Sequence, residues 1–479
     1  MPYTQTEDLL SIVRLGLQPR AAIPKKIIVI GAGMAGLVAG YELRRAGHDV
    51  TILEAQKRVG GRIHTLREPF GDNLYAEAGA MRLPTTHKLT QTYIKKFGLQ
   101  TREFTKVSTN AFYYLHGRRY LMSDVSRDPA CLGLDFAGPN GDQTVFQLWD
   151  EMLRPTIRRL EADEGYWDEC LSKYGDFSVY DFLRSQGWST DSISAFAFLE
   201  GFDEPIRGIS FLEAFIASLA WHADMVQISG GMDNLPRAFI PELKSCIRLG
   251  TELVALDYNT DSVIVHTKAQ AELEQLTGDF AIVAIPYPAL RSVDVLKPFS
   301  SGKQMAVRQV PYVNAAKVFL QCRRRFWEED EGLFGGSTET DLPIRSIYYP
   351  DHGRETKRGV LIGCYAYAED AAHWASLLPE DRIAQTLKYV AMIHPQVTNE
   401  FERGFSKVWS EDKFAGGGAT LFDSGQPARL YSHMVAPEGP VHFAGEHTSL
   451  KHFWVEGAVE SGLRAAQEVH ERSLMAASS

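Results

Sequence analysis

The spacing of apolar and polar residues changes several times along this chain, and each change marks an element. KKIIVI (residues 25–30) is apolar on both faces, which predicts a short strand inside a parallel sheet. The run breaks at Gly31, and LVAGYELRRAG resumes at helical spacing until Gly47. DVTILEA follows as a second buried strand. NAAKVFLQC (314–322) reads as another strand, with Lys317 set among apolar neighbours. IRLGTELVALDYNTDSVIVHT (247–267) predicts two or three strands with a turn at Asn259–Thr260–Asp261. VHFAG near the C-terminus is a strand, followed by an acidic turn and a helix starting near Val455. SGGMDNLPRAF (229–239) reads as a loop and helix, and residues 141–227 carry helical patterns such as SVYDFLRSQGW. At the ends, LLSIVRLGL predicts a helical turn or two at most, and MAASS a frayed terminus.

Composition narrows the class. At 479 residues the chain exceeds one ordinary core, so two or three domains are expected. No apolar run approaches the ~20 residues of a membrane-spanning helix, and the N-terminus lacks the pattern of a secretory signal. The formal charge of −10 argues against nucleic acid as a partner. The basic run Arg323–Arg325, just before Glu328–Glu331, reads as a solvated strand end. Five scattered cysteines without a CxxC pair suggest neither a disulfide framework nor a zinc site, so no metal is expected and a cytoplasmic setting is.

The chemistry begins at Gly31, Gly33 and Gly36, a G-x-G-x-x-G between strand and helix. The first glycine permits the turn, the second lets backbone amides reach a pyrophosphate, and the third lets helix and strand pack closely. The helix N-terminus adds partial positive charge. Glu54, ending the second strand, can accept from ribose hydroxyls and would repel a 2′-phosphate. A purely structural βαβ unit is the plain alternative. Arg58, Gly60, Gly61 and Arg62 then form R-x-G-G-R, a second close approach with a fixed charge for the phosphates.

Residues 26–62 together with 441–466 resemble the two FAD-binding ends of the flavin monoamine oxidase superfamily, its L-amino acid oxidase branch most of all. The resemblance implies an α/β fold: a Rossmann-like, glutathione-reductase-like FAD-binding domain interleaved with a mixed-sheet substrate domain and a helical insertion. On that scheme residues 24–62, 228–309 and 435–471 form the FAD domain, and 63–140 with 310–434 the substrate domain. Residues 141–227 form the helical domain, and 1–23 with 472–479 are terminal extensions. It further implies that Gly31, Gly33, Met34, Ala35, Gly36, Glu54, Ala55, Gly61, Arg62, Gly79, Ala80, Met81, Arg82, Val254, Trp409, Gly445, Glu446, Trp454, Val455 and Ala458 meet a non-covalently held FAD.

Within YAEAGAMRLPTTH (75–87), Arg82 matches the arginine that holds the substrate carboxylate in the L-amino acid oxidases. A planar guanidinium suits a carboxylate, whereas an amine offers it nothing. Its plain alternative is to cap a helix or to pair with a surface acid. GVLIGCYAYAEDA (359–371) implies Tyr365 as a second carboxylate ligand, and alternation puts Tyr367 on the same strand face. Both also fit ordinary core aromatics. Lys317 matches the lysine that meets the flavin N5 through a water, with a strand-end lysine reaching solvent as the alternative. Ala419, Phe453 and Trp454 would wall the substrate pocket with Tyr367, giving an apolar space for aromatic or large aliphatic side chains. Many relatives have glycine where this chain has Phe453. His222 and His447 lie near these segments, each with a neutral core or rim role as the plain expectation.

The resemblance thus implies oxidative deamination of an L-amino acid to a 2-oxo acid, ammonia and hydrogen peroxide, by hydride transfer from Cα to flavin N5. O2 is the second substrate, and a homodimer or higher homo-oligomer is implied. An amine or polyamine oxidase, an L-amino acid 2-monooxygenase and a flavin-bound protein without turnover stay open as alternatives. No G-x-S-x-G or HExxH competes for the chemistry.

Overall fold

Lys26–Ile30 lies in the middle of a five-stranded sheet in the order 247–249, 49–54, 26–30, 280–283 and 441–443, with every pair parallel. The computed structural model describes residues 6–135, 145–163, 165–200 and 205–478. Alternate residues of the central strand face opposite layers, as period-2 geometry requires. Ile27 and Val29 pack with the helices Met34–Arg45 and Val455–Ser478. Ile28 and Ile30 pack with Leu253, Leu256, Val263 and Val265 of a four-stranded, largely antiparallel sheet. Burial on both faces is why these strands read as continuous apolar runs.

The two helices touch almost backbone to backbone. A Cβ on Gly462 would stand 2.4 Å from the Ala35 carbonyl oxygen, so the small residues on this side of the last helix form its contact surface. Tyr41, Tyr93, Phe97 and Phe239 close the outer side of Met34–Arg45 in edge-to-face and stacked pairs.

A seven-stranded mixed sheet runs 401–408, 315–322, 359–367, 346–348, 337–340, 112–115 and 118–121. Ala315–Cys322 is buried at every position, and Lys317 stands opposite Tyr365 on the neighbouring strand. The described residues between Val145 and His222 form helices, Val145–Ala162 through Phe211–His222, joined by a 3₁₀ turn at Pro205–Arg207. Residues 141–144, 164 and 201–204 of the expected helical insertion lie outside the described residues.

Three local expectations are corrected. LLSIVRLGL belongs to a ten-residue helix, Thr6–Leu15, whose Leu9, Leu10, Ile12 and Val13 are buried in the same core as Leu89 and Tyr93. A helix this short is marginal alone, and tertiary burial sustains it. At the other end, the last helix continues to Ser478, through the stretch expected to fray. Arg325 is not a solvated strand end: it is 4% exposed and donates to Glu328 and to the Pro350 and His352 carbonyls.

Lys303 is fully buried on helix Ser301–Gln309, with Nζ donating to the Met434 carbonyl at 2.7 Å above the Phe443 ring. Burial pulls its amine from 10.5 down to about 6, with Glu438 opposing. Between those values the unfolded chain binds a proton that the folded chain does not, so this group makes stability rise with pH across that window. A Lys303→Met variant lacks the slope. Denaturant melts should show its stability relative to the parent greatest near pH 6 and falling toward pH 10.

Candidate active site

The turn after Lys26–Ile30 is built without side chains because there is no room for them. Gly31 has φ +103°, and a Cβ on Gly36 would lie 1.9 Å from the Gly31 carbonyl oxygen. Gly33 is different. Its φ is −70° and a Cβ there would meet nothing within 4 Å, so the space beside it is open. The first helical amides, from Met34 to Gly36, have no intrahelical acceptor and crown that space. Gly60 and Gly61, both at positive φ, bring the R-x-G-G-R loop alongside, with Gly60 bridged to Gly33. A Cβ on Gly79 would sit 1.7 Å from the Arg62 carbonyl oxygen, so the third stretch closes on the second.

From here a cavity of about 230 Å³ runs to Lys317 and Arg82. Of the residues expected to meet the cofactor, all but Gly36 and Val254 line it. Gly36 serves packing, as its spacing implies. Val254 falls where strand Thr251–Tyr258 skips register against its neighbour, a bulge, and it is Thr251, Glu252 and Leu253 that line the cavity. Glu54 is 7% exposed, and its two carboxylate oxygens accept from the Ala32 and Gln56 amides, each at 2.8 Å. Each oxygen keeps acceptor capacity for a hydroxyl. Arg62 is not a free charge: Nη1 donates to Glu446 Oε1 at 2.8 Å and to the Gly418 carbonyl at 3.2 Å. Burial would raise the Glu446 carboxyl, but Arg62, His452 and His447 hold it below the usual range.

At the far end Lys317 is 2% exposed, not a lysine reaching solvent. Nζ donates to the Glu77 carbonyl (2.9 Å), the Gly79 carbonyl (2.8 Å) and Met81 Sδ (3.5 Å). Burial pulls it down to about 7, opposed by Glu77 and assisted by Arg82. Arg82 neither caps a helix nor meets an acid. Its Nη1 donates to Tyr348 Oη at 3.2 Å, and its guanidinium lies 4.4 Å over the Trp221 ring. No carboxylate among the described residues comes within ion-pair distance of it. Tyr365 and Tyr367 face it from one side of their strand, rings 4.6 Å apart, and burial pushes the Tyr365 phenol up to about 12 despite Arg82.

Trp409 donates from Nε1 to the Ala78 carbonyl, and Ala419 lies on a short strand paired with Tyr312–Val313. Trp454 packs edge-on to His87 and Trp221, with its Nε1 buried and without a partner among the described residues. Phe453 adopts φ +71°, a left-handed backbone costly for a side chain. That conformation explains why glycine suits the position. Burial pulls His447 down to about 3, so it is a neutral core histidine. The His222 side chain lies outside the described residues. A second cavity of about 590 Å³ meets the first at Arg82, Tyr365, Tyr367, Phe453 and Trp454.

The profile of the flavin-containing amine oxidoreductases matches residues 34–470. This chain belongs to that family. It is 38% identical over 479 residues to YobN of Bacillus subtilis (strain 168), whose name assigns it provisionally to the L-amino-acid oxidases, covering 98% of this chain and 99% of that protein. It is 34% identical over 478 residues to the L-amino-acid oxidase of Gloydius halys, covering 98% and 94%. Among solved structures, a putrescine oxidase variant superposes with a TM-score of 0.74 at 21% identity, and cyclohexylamine oxidase from Brevibacterium oxydans IH-35A with 0.76 at 18%. Each alignment covers 94% of this chain and 99% of the other. At those identities the likeness is one of fold.

As a family member the chain is a flavoprotein oxidoreductase with FAD as its cofactor, and the site fits it. The open space at Gly33, the crowning amides, the acid at Glu54 and the elongated cavity suit a dinucleotide with a ring at one end. Tyr348, Trp221 and Glu77 were not among the expected site residues, since no motif assigns them a role. Among the described residues no helix is long and apolar enough to cross a membrane.

Gly33 offers a clean test of the cradle. Gly33→Val has an ordinary φ and no clash, so the fold should persist while flavin is excluded. Circular dichroism should match the parent, and flavin absorbance of the purified protein should fall at least about tenfold.

Proposed function

We propose that the enzyme oxidatively deaminates L-amino acids to 2-oxo acids, with release of ammonia and hydrogen peroxide. The observation that carries this reading is Arg82, a buried guanidinium with no acid beside it, facing the cavity next to Tyr348 and Tyr365. A buried charge without a counter-ion is costly, and a substrate carboxylate is the partner that relieves the cost. Relatives named as L-amino-acid oxidases, at 34% identity across nearly the whole chain, support it.

The FAD would be held at Gly31–Gly36, Glu54, Gly61–Arg62, Gly79–Met81 and Gly445–Glu446, without a covalent link, since residues 441–458 contain no cysteine. Bound there, FAD supplies the two-electron chemistry, taking up the Cα hydride and passing the electrons to O2. Arg82 and Tyr365 hold the carboxylate, which fixes which face and which hydrogen of Cα is presented. Tyr367, Phe453, Trp454 and Ala419 wall the side chain and exclude water. The Phe453 carbonyl is the proposed acceptor for the substrate amine. Water then adds to the imino carbon and ammonia leaves, giving the 2-oxo acid. Self-association into a homodimer or larger oligomer belongs to the same proposal.

Arg82→Met should retain flavin yet lower kcat/KM for L-Phe about 100- to 1000-fold in a peroxide assay. Phenethylamine turnover should not fall with it. A fall of the two together would instead support an amine oxidase. Lys317, neutral above about pH 7, bears on the oxygen step, where negative charge develops on O2 and a nearby cation stabilises it. Stopped-flow reoxidation should slow as pH rises through about 7 in the parent, and Lys317→Met should be slower and flat across that range.

A further inference from the structure

The seven-stranded sheet sets Lys317, Tyr365, Ser346, Glu339 and Tyr113 opposite one another on five successive strands. Residues paired across neighbouring strands share a face, so the row is one continuous wall. Lys317 lines the first cavity, Tyr365 both, and Ser346, Glu339 and Tyr113 the second. The wall therefore leads from the carboxylate site straight to a carboxylate of the protein's own.

Glu339 is held there without a counter-ion. One carboxylate oxygen accepts from Ser337 Oγ at 2.7 Å and the other from Ser346 Oγ. No lysine, arginine or histidine among the described residues lies within ion-pair distance of it. Apart from Arg82, the other charges described on this cavity are committed: Arg345 to Asp370 at 3.2 Å, Glu213 to His452 at 2.9 Å, and Lys106 to the Trp221 and Ala223 carbonyls. Burial raises the Glu339 carboxyl, with both serines and the more distant Arg345 and Arg82 opposing. Each serine uses one acceptor site per oxygen, which leaves one on each, the pattern a guanidinium fork or an ammonium can fill.

We infer that Glu339 receives the cationic end of a long substrate side chain, so that L-amino acids of the arginine and lysine kind are substrates and the acidic ones are rejected. This rests on the L-amino acid oxidase reading and sharpens it, because the aromatic walls at Tyr367, Phe453 and Trp454 then flank an aliphatic stem. The lengths agree. Strands stand about 4.8 Å apart, so Glu339 is roughly 10 Å along the wall from Tyr365. An extended lysine side chain spans roughly 6 Å at about 1.5 Å per bond, and a hydrogen bond adds about 3 Å.

The test uses the holoenzyme and two readouts. First, kcat/KM for L-Arg, L-Lys, L-Leu and L-Glu is measured by peroxide release in the parent, Glu339→Gln and Glu339→Asp. The L-Arg to L-Leu ratio should fall on the order of 30-fold in Glu339→Gln, mainly through KM, and recover in part in Glu339→Asp. Second, calorimetric titration compares 5-guanidinopentanoate, which is arginine without its amino group, with hexanoate. The guanidino acid should bind at least about tenfold tighter to the parent, and Glu339→Gln should erase the difference. An unchanged ratio, or equal binding of the two acids by the parent, overturns the inference. Glu339-dependent binding without turnover of any L-amino acid would sustain the subsite and overturn the oxidase reading instead.

Discussion

The buried carboxylate of Glu446 joins the parts on which the rest of the site depends. It accepts from Arg62 Nη1 at 2.8 Å and from the backbone amides of Thr420 and Phe453, each at 3.2 Å. Those three donors come from the R-x-G-G-R loop, from the strand bearing Ala419, and from the segment proposed to wall the substrate. A carboxylate stays ionised at that depth only because a guanidinium and two amides compensate it. One charge thereby ties the cofactor cradle to the proposed substrate walls. The left-handed backbone at Phe453 is held by the same contact.

Two basic residues stand at the far end of the first cavity, and burial treats them differently. Arg82 keeps its charge, because a guanidinium is too basic to be neutralised by desolvation, so the site retains a permanent receptor for an anion. Lys317, equally buried, is drawn down to about 7 and becomes adjustable. In the proposed arrangement the fixed charge meets the substrate carboxylate, and the adjustable one stands beside Gly79–Met81, against which the cofactor lies. Exchanging the two residue types would lose both properties.

What could be read from local pattern, and what could not, follows contact range. Gly31, Gly33 and Gly36 fall within one turn six residues long, where the positive φ of Gly31 and the contact of Gly36 with the Gly31 carbonyl are local. Lys317 stood out because an ammonium inside an apolar run is anomalous at any depth. The helix Thr6–Leu15 was underestimated, since its buried face is covered by residues about eighty positions or more away, among them Leu89 and Tyr93. Val254 was placed from family likeness, and a single-residue bulge moved the lining to its neighbours. Arg62 was assigned to the phosphates alone, because its partner Glu446 lies 384 residues on.

By itself, then, the amino-acid sequence determined the dinucleotide cradle and the buried parallel strands, because these depend on spacing within a few residues, while the residues of the reacting end were assigned from family likeness. Only the tertiary structure decided that Arg82 rests on Tyr348 and Trp221 with no acid beside it, and that Lys317, Tyr365, Ser346 and Glu339 form one row. The physical reason is register. Which residues of distant strands stand opposite one another is set by the packing of the whole sheet, and no local period encodes it.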